Sequence, residues 1–525
     1  MHRIRLPLVA LLAVLLLGGC AVYHSATRRP AAEMEVADAA TDLPLQAYLT
    51  NGEIVRFETG ARRVGDRIEG SGTRYTVGME AVGTVTALPL DSVVGLEVLQ
   101  GRQLNVPMTV LASAAGTALA VAAVGGLAVA IFGSCPTVYV PAPVPGDEAP
   151  VAELFSYSVA PLLEARDVDL YPGGPEEGRL RLDFRNEALE THFINHLELL
   201  EVRHRPGETV VPTGEDQPLA VSGWMEGARF TDRAGRDQGD ALARSGSGTY
   251  RTPEAFVTGA TLAALEDWIE IEVPRRPATD SVAIVLRLRN SLLNSVFLYD
   301  FMLSGDDLRG LDWLGHTLQE VGSAAAFGGW YQRRMGLHVD VWREGRWIQV
   351  DRIPDTGPIA WKEAAVMLPV PAGAGPLRYR LRFVADQWRI DQVRLAGEVR
   401  RPEVVAHPVT AVQGADGRLL DDAVRALRDP DEDYLETRPG TALWVDFEVG
   451  EEQADTERAF LIAAQGYYTE WIRPDWIRPG SGPPDDFVPG DAGLLQVLER
   501  WHEVRPWFEA RFHDSRLSTD RRAER

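Results

Sequence analysis

The sequence of 525 residues contains little of the two side chains that carry much enzyme chemistry, lysine and cysteine. It has one lysine, Lys362, and two cysteines, Cys20 and Cys135. Because Trp361 precedes Lys362, the chain holds no GxxxxGK phosphate-binding loop, and any Schiff-base or kinase-type lysine would have to be Lys362 itself. The sequence therefore excludes P-loop proteins and leaves very little room for lysine chemistry.

Positive charge is also scarce, since 53 basic residues face 76 acidic ones and the formal net charge is −23. Proteins that bind nucleic acid neutralise phosphates with an excess of basic residues, so we expect no nucleic-acid partner. The hydrophobic share of 45% is that of a globular chain, and the length predicts about three or four domains.

Catalytic motifs are incomplete. The chain has no GxSxG nucleophile elbow, and the Gly-Ser-Gly pieces at 70–72 and 246–248 lack the third glycine of a dinucleotide-binding loop. Cys135 has no histidine beside it in the sequence. We predict no catalytic residue, no cofactor and no enzyme activity.

The first twenty residues carry the clearest signal. Arg3 and Arg5 form a basic start, an apolar run covers 6–17, and Leu17-Gly18-Gly19-Cys20 follows. This pattern resembles the lipobox of bacterial lipoproteins. The resemblance implies that Cys20 is acylated and becomes the mature N-terminus, and Ala21 behind it favours the outer membrane. With Cys20 lipidated, Cys135 has no intramolecular partner, so we expect no internal disulfide.

A second apolar segment covers 108–132, which is long enough to span a bilayer and contains no charged residue. It carries small residues four positions apart, as in Ala112-Gly116-Ala120, which allow close helix packing. A membrane-inserted helix is one interpretation. The other is a buried helix or helical hairpin that turns at Gly125-Gly126.

Short runs that alternate apolar and polar residues, with breaks at Gly, Pro and Asp, predict a mainly β chain. An Asn51-Gly52 pair between two such runs predicts a hairpin with a type I′ turn. We expect a small SH3-like barrel, one hydrophobic helix, two to three tandem β-sandwich modules of jelly-roll or immunoglobulin type, and a C-terminal helix. The predicted boundaries are a signal peptide at 1–19, a tether at 20–40, the barrel at 41–101, the hydrophobic helix at 106–133, a Pro-rich linker at 134–150, a sandwich region at 151–305, a sandwich module at 306–400, a β-rich module at 401–480, and a loop with an amphipathic helix at 481–525.

An internal similarity underlies the sandwich prediction. The Arg-Asn pair at 185–186 and the apolar pattern that follows to 199 recur at 289–303, about one sandwich domain later. We interpret each copy as a strand, a short loop and the next strand. A further alternating run at 377–383 presents three arginines on one side, which we expect to pair with carboxylates.

Segments at 134–139, 155–161 and 466–473 resemble parts of uncharacterised bacterial envelope proteins. The resemblance covers about a quarter of the chain and implies no activity. No site residue can be transferred from it.

Two motifs have metal-like spacing. His192 and His196 lie four residues apart, but Phe193 stands where a zinc protease has its glutamate. Asp429, Asp431 and Asp433 alternate as in a calcium loop, yet the loop lacks the required glycine and final glutamate. We keep the three aspartates as weak metal candidates and predict no metal site otherwise.

Six tryptophans lie within 313–388, and we expect them to fill cores and edges, although exposed ones could stack on sugar rings. The sequence therefore predicts an envelope lipoprotein with a structural or binding role, attached to the membrane by its lipid and by 108–132 if that segment inserts. An oligomeric envelope or export component, and a glycan-binding or glycan-processing protein, are the alternatives. The protein or glycan partner stays open.

Overall fold

The computed structural model describes residues 22–30, 40–41, 44–76, 81–104, 135–141, 149–159, 164–214, 217–254, 265–276, 281–304, 321–431, 433–450, 456–471 and 488–512. The predicted lipobox and the apolar segment at 108–132 lie outside these ranges. Within them, no helix combines the length and the apolar character that a membrane crossing requires. The described chain is mainly β, as predicted, and its strands form four antiparallel sheets.

The N-terminal sheet occupies the region of the predicted small barrel. Its strands are β1 (Val22–Pro30), β2 (Ala40–Thr41), β3 (Leu45–Leu49), β4 (Ile54–Phe57), β5 (Ala61–Val64), β6 (Arg67–Tyr75), β7 (Ala81–Pro89) and β8 (Val93–Leu104), with a short 3-10 turn at Leu90–Ser92. They pair in the order β1-β8-β3-β4-β6-β5-β2, and β7 pairs with β6. Alternate residues such as Val55, Phe57 and Leu96 point inward and form the core of this sheet.

The hairpin predicted at Asn51-Gly52 is confirmed, because β3 and β4 pair on either side of it. Its turn is not type I′, which needs positive φ at both central residues. Gly52 has a φ of 91°, and Asn51 does not adopt positive φ. Instead the side chain of Asn51 accepts the N–H of Glu53 at 3.2 Å, which closes the loop locally.

The tether prediction for 20–40 is wrong where β1 lies. This strand pairs along β8, from Val22 beside Leu104 to Pro30 beside Gly95. The long edge of β8 offers unpaired backbone groups, and β1 satisfies them.

The chain then builds β9 (Thr137–Tyr139), β10 (Pro150–Glu153), β11 (Ala165–Tyr171), β12 (Arg179–Arg185) and β13 (Glu190–His204). The linker prediction for 134–150 is wrong at β9, which pairs with β10 and β12. Val138 and Tyr139 are fully or almost fully buried there. Burial of these two side chains outweighs the flanking prolines, which only bound the strand.

Ten further strands form a sandwich of two five-stranded sheets. They are β14 (Thr209–Val211), β15 (Leu219–Trp224), β16 (Arg229–Asp232), β17 (Glu266–Val273), β18 (Ser281–Asn290), β19 (Leu337–Arg343), β20 (Arg346–Ile353), β21 (Lys362–Pro369), β22 (Leu377–Val384) and β23 (Trp388–Arg400). One sheet has the order β14-β15-β23-β18-β21 and the other β16-β17-β22-β19-β20. Their facing sides share one apolar core.

The strand at 377–383 is confirmed as β22. Its apolar residues are buried and its three arginines are half-buried. As expected, the arginines pair with carboxylates on neighbouring strands: Arg378 with Glu270, and both Arg380 and Arg382 with Asp340.

The last strands return to the sheet begun by β9–β13. They are β24 (Glu403–Gly414), β25 (Leu435–Thr437), β26 (Ala442–Glu448) and β27 (Glu457–Glu470). The sheet has nine strands, in the order β10-β9-β12-β26-β24-β13-β27-β11 with β25 on β13. The sandwich at 209–400 is therefore inserted into this sheet, so the modules are nested and not tandem.

The predicted boundary at 305 fails for this reason, whereas the boundary at 400 coincides with the end of the insert. β18 pairs with β21 and β23 across residue 305, and β13 pairs with β24 and β27 across the whole insert. Alternation along a strand shows which face is buried but not which strand lies beside it.

Five helices lie in the described part of the chain. They are α1 (Gly239–Leu242), α2 (Leu293–Val296), which continues as a π-helical turn (Phe297–Met302), α3 (Val321–Arg334), α4 (Asp421–Arg428) and α5 (Asp491–Arg511). The repeat prediction is wrong at 293–302, which is helical whereas its counterpart at 190–204 is strand β13. The predicted C-terminal helix is confirmed as α5, and it continues through Pro506.

Helices α2, α3 and α5 form a central apolar cluster that also receives Tyr48 and Ile54 of the N-terminal sheet. Polar contacts fix α5 in place. The indole of Trp501 donates to the buried carboxylate of Asp386 at 2.7 Å, and Arg505 contacts the same carboxylate at 3.1 Å. The C-terminal helix is thereby attached to the turn between β22 and β23.

The single lysine lies at the junction of the insert and the nine-stranded sheet. Lys362 begins β21, and its Nζ contacts Asp167 at 2.5 Å and Asp169 at 2.9 Å on β11. The lysine side chain is 10% exposed and both carboxylates are buried. Burial alone lowers the pKa of Lys362, but the two carboxylates outweigh it and hold the pKa above its ordinary value. The lysine is therefore charged, and we call this group the lysine bridge.

Replacing this lysine tests the bridge. Lys362→Met leaves two buried carboxylates without their cation, so we expect the free energy of unfolding to fall by about 3–5 kcal/mol in urea titrations. The control is Arg343→Met, whose partner Glu344 is exposed, where a loss under about 1 kcal/mol is expected. Equal effects of the two substitutions would contradict this interpretation.

Candidate functional site

A cavity of about 210 Å³ lies where the nine-stranded sheet, helices α2 and α3, and the loop after β20 meet. Most of its wall is apolar. We call it the tyrosine cavity, after Tyr157, Tyr299, Tyr331 and Tyr468 in its lining. An apolar cavity with a few convergent polar groups is the usual form of a small-molecule site.

Phenylalanines from the same helices extend the aromatic wall. The ring centroids of Phe297 and Phe327 are 6.4 Å apart, and Tyr331 lies 6.4 Å and 5.9 Å from them. These spacings are those of packed aromatic pairs. α2 and α3 therefore present rings to the cavity from two sides.

The tyrosine hydroxyls already donate to protein acceptors. Burial raises the pKa values of Tyr157, Tyr331 and Tyr468, so these phenols stay protonated. The donations are from Tyr157 to Arg166 O at 3.1 Å, from Tyr331 to Asp355 Oδ2 at 2.7 Å, from Tyr468 to Ser156 O at 3.2 Å, and from Tyr299 to Glu470.

Asp355 is the buried carboxylate of the wall. Its Oδ1 accepts Asn290 Nδ2 at 3.0 Å and Gln387 Nε2 at 2.7 Å, and its Oδ2 accepts the Tyr331 hydroxyl. Asn290 is itself fixed, since its Oδ1 accepts the N–H groups of Thr356 and Gly357. The carboxylate is thus held in one orientation by groups from strand β18, the turn between β22 and β23, and helix α3.

A second acceptor lies on helix α2. Asn294 lines the cavity, and its Oδ1 is buried without a hydrogen-bond partner. An unsatisfied buried acceptor costs about 1–3 kcal/mol, which a ligand that donates a hydrogen bond would recover.

Cys135 also lines the cavity and is a buried free thiol. Burial raises its pKa well above the ordinary value, and the charges of Glu190 and Glu153 raise it further. A thiolate is the reactive form of cysteine, so this environment works against nucleophilic chemistry at Cys135.

Two buried carboxyl groups lie beside the cavity at the junction with the insert. Glu153 Oε2 accepts the N–H groups of Ile359 and Ala360 at 2.5 Å and 2.7 Å. Burial raises the pKa of Glu153 to about 8, despite these hydrogen bonds. Burial likewise raises the pKa of Asp169, although Lys362 opposes the shift.

Gly357 is required beside this carboxyl group. Its φ is +81°, and a Cβ there would lie 2.6 Å from Glu153 Oε1. Only glycine allows the loop after β20 to approach Glu153 so closely.

Several of the residues with metal-like spacing make contacts within the protein. His192 and His196 lie on strand β13, where His192 contacts Glu190 at 2.8 Å and burial lowers the His192 pKa to about 3. Asp431 and Asp433 take part in a turn in which Asp431 Oδ1 accepts the N–H of Asp433 at 2.7 Å. In the part of the chain that the structure describes, no group of three or more His, Cys, Asp or Glu side chains is arranged to hold a metal ion.

Tryptophan placement supports the expected core role in two cases. Trp388 is 0% exposed and belongs to the sandwich core. Trp330 packs against the central apolar cluster. Trp313 lies outside the described residues.

The remaining tryptophans of the predicted group stack with arginine. Trp342 and Trp347 meet edge to face at 5.1 Å, and the guanidinium of Arg378 lies 4.7 Å from the Trp342 ring. The guanidinium of Arg289 lies 4.7 Å from the Trp361 ring. These cations cover ring faces on which a sugar would otherwise stack.

Three polar or aromatic residues of the tyrosine cavity were not among the sequence candidates. Tyr331, Asp355 and Asn294 belong to no motif, and only the density of aromatic residues around 297–331 could have pointed to them. The Cys20 lipidation site lies outside the described residues.

No family model matches the chain, and no curated protein matches it. Among solved structures, the GH31 alpha-xylosidase from Xanthomonas citri is 9% identical at a TM-score of 0.15 and covers 81% of this chain. The chain spans 38% of that enzyme's length. A structure of infectious bursal disease virus, Gt strain, is 9% identical, covers 94% of each chain and has a TM-score of 0.13. Likenesses this weak carry no argument about fold or activity.

The raised carboxyl pKa values predict a pH-dependent stability. Glu153 and Asp169 hold protons more tightly in the folded protein than their ordinary values of 4.5 and 3.8 imply. For Glu153 this contribution to stability is complete below about pH 4 and is lost progressively until the pH passes about 8. We expect the free energy of unfolding to fall between about pH 5 and pH 8 and the effect to level off above that.

Glu153→Gln is the matched variant, because its neutral amide keeps an oxygen for the N–H groups of Ile359 and Ala360. In urea titrations, the free energy of unfolding of this variant should fall between about pH 5 and pH 8 by about 1–3 kcal/mol less than that of the wild-type protein. The same pH dependence in both proteins would show that Glu153 does not hold the proton.

Proposed function

We propose that this chain is a lipid-anchored protein of the bacterial envelope, whose folded body binds a partner or ligand without chemical conversion. The sequence Leu17-Gly18-Gly19-Cys20 behind a short basic and apolar leader is the observation that carries the anchoring. The residue Ala21 favours the outer membrane as the location. A single acyl group holds a protein only weakly, so a multiply acylated cysteine is the expected anchor.

The tyrosine cavity supports the binding role. Its hydroxyl groups are engaged with protein acceptors, its thiol is kept protonated, and its carboxylate Asp355 is held by three donors. Such a wall is rigid and suited to shape recognition. It does not offer an activated nucleophile.

Acylation is tested by metabolic labelling with palmitate in a bacterial host. We expect label on the full chain, loss of label in Cys20→Ser, and accumulation of the uncleaved precursor with globomycin. The matched control is Cys135→Ser, which removes the other cysteine and should keep the label. A protein that stays unlabelled, or that Cys20→Ser leaves labelled, would contradict the anchoring.

A second candidate function is an oligomeric envelope or export component. The small residues at 112, 116 and 120 favour it, because they allow helices to pack closely in a membrane. We expect Gly116→Leu to reduce the oligomer, measured by light scattering of the detergent-solubilised protein. A wild-type protein that runs as a monomer would rule this function out.

A further inference from the structure

We propose that the tyrosine cavity binds a small organic ammonium ion, with an apolar part about the size of one aromatic ring. This inference rests on the binding role proposed above. The observations that support it are the polar groups of the cavity wall, the aromatic rings in that wall and the volume of the cavity.

Two buried acceptors of the wall, Asn294 Oδ1 and the Asp355 carboxylate, have hydrogen-bonding capacity left. The four tyrosine hydroxyls donate to protein oxygens. Asn294 Oδ1 has no partner, and Asp355 accepts three hydrogen bonds where a carboxylate can accept about four. A ligand that complements these groups must be a donor, and an ammonium group supplies donors without acceptors.

The charge of Asp355 favours a cation over a neutral donor. The carboxylate is 5% exposed, so water screens it poorly and its attraction for a nearby cation is strong. The surrounding rings add to this preference, because the face of an aromatic ring attracts a cation by about 0.5–2 kcal/mol.

Size limits the apolar part of the ligand. A cavity of about 150 Å³ accommodates benzene, and the tyrosine cavity holds about 210 Å³. One ring with a short aminoalkyl group fits this volume. Benzylammonium is therefore a suitable probe, and benzyl alcohol is its neutral counterpart of nearly the same shape.

Arg352 provides a test of the charge. This half-buried arginine lines the cavity and donates from Nε to Met335 O at 2.9 Å. Its charge opposes a bound ammonium ion, so its removal should tighten binding of the amine and leave binding of the alcohol unchanged. A residue with a purely structural role would not change the affinity for the amine while leaving the affinity for the alcohol unchanged.

The experiment uses the full-length protein in detergent micelles, with titration calorimetry of both probes at pH 7 and subtraction of the micelle signal. We expect benzylammonium to bind at least about tenfold more tightly than benzyl alcohol. Arg352→Gln should tighten benzylammonium by about two- to fivefold. Asp355→Asn should make the affinities for benzylammonium and benzyl alcohol nearly equal.

Location is tested by filling the cavity. Ser295 lines the tyrosine cavity, and Ser295→Phe should weaken the binding of both probes by at least about tenfold. The control is Ser247→Phe, at an exposed serine outside the cavity, which should leave both affinities unchanged. Alkylation of Cys135, the remaining thiol once Cys20 is acylated, should slow when benzylammonium is bound.

Equal affinity for the two probes, no binding of benzylammonium, or binding that Ser295→Phe does not weaken would each overturn the proposal. Because Asp355 belongs to a buried network, Asp355→Asn could impair folding, and Arg352→Gln then decides the charge preference. Palmitate labelling is independent of the cavity, so failure here is distinguishable from failure of the proposed anchoring.

Discussion

The lysine bridge between β21 and β11 is the contact on which the arrangement of the insert and the nine-stranded sheet depends. One buried ammonium group faces two buried carboxylates, so neither side can separate without leaving charge in an apolar setting. Glu153 acts at the same junction, through the backbone of Ile359 and Ala360. The tyrosine cavity lies beside these contacts, and its walls come from both bodies. A shift of one body against the other would therefore change the shape of the cavity.

Local features of the fold were predictable from the sequence. The alternation at 377–383 gave a strand with buried apolar residues and paired arginines, and Asn51-Gly52 marked a hairpin. Topology was not predictable in this way. β13 pairs with β27, but no local sequence pattern in either strand predicts which strand it pairs with. The repeat failed at 293–302 because similar apolar spacing serves a helix and a strand, and packing against α5 selects the helix there.

The candidate site was even less accessible to sequence reasoning. Cys135, Asn294, Asp355 and Tyr468 come from four distant segments and meet only after the nested sheets have formed. Lys362 illustrates the same limit. The sequence shows that it is the single lysine, but its partner Asp167 lies 195 residues earlier in the chain, and Asp169 follows close behind Asp167. Motif spacing detects only sites built on one element, such as the histidine pair at 192 and 196 and the aspartates at 429, 431 and 433. When a cavity is assembled from several elements, the only sequence signal is the frequency of certain residue types, here the aromatic residues.

The pairing of β13 with β27 has a consequence for how the chain is made. β13 is complete early in synthesis, but its long neighbour emerges only after the entire insert. Until then β13 presents unsatisfied backbone and apolar side chains, which is a state prone to aggregation. The insert can form its own core in the meantime, because its two sheets pair only among residues 209–400. Chaperones that hold extended strands would have their greatest effect during this interval, between completion of the insert and arrival of the last strand.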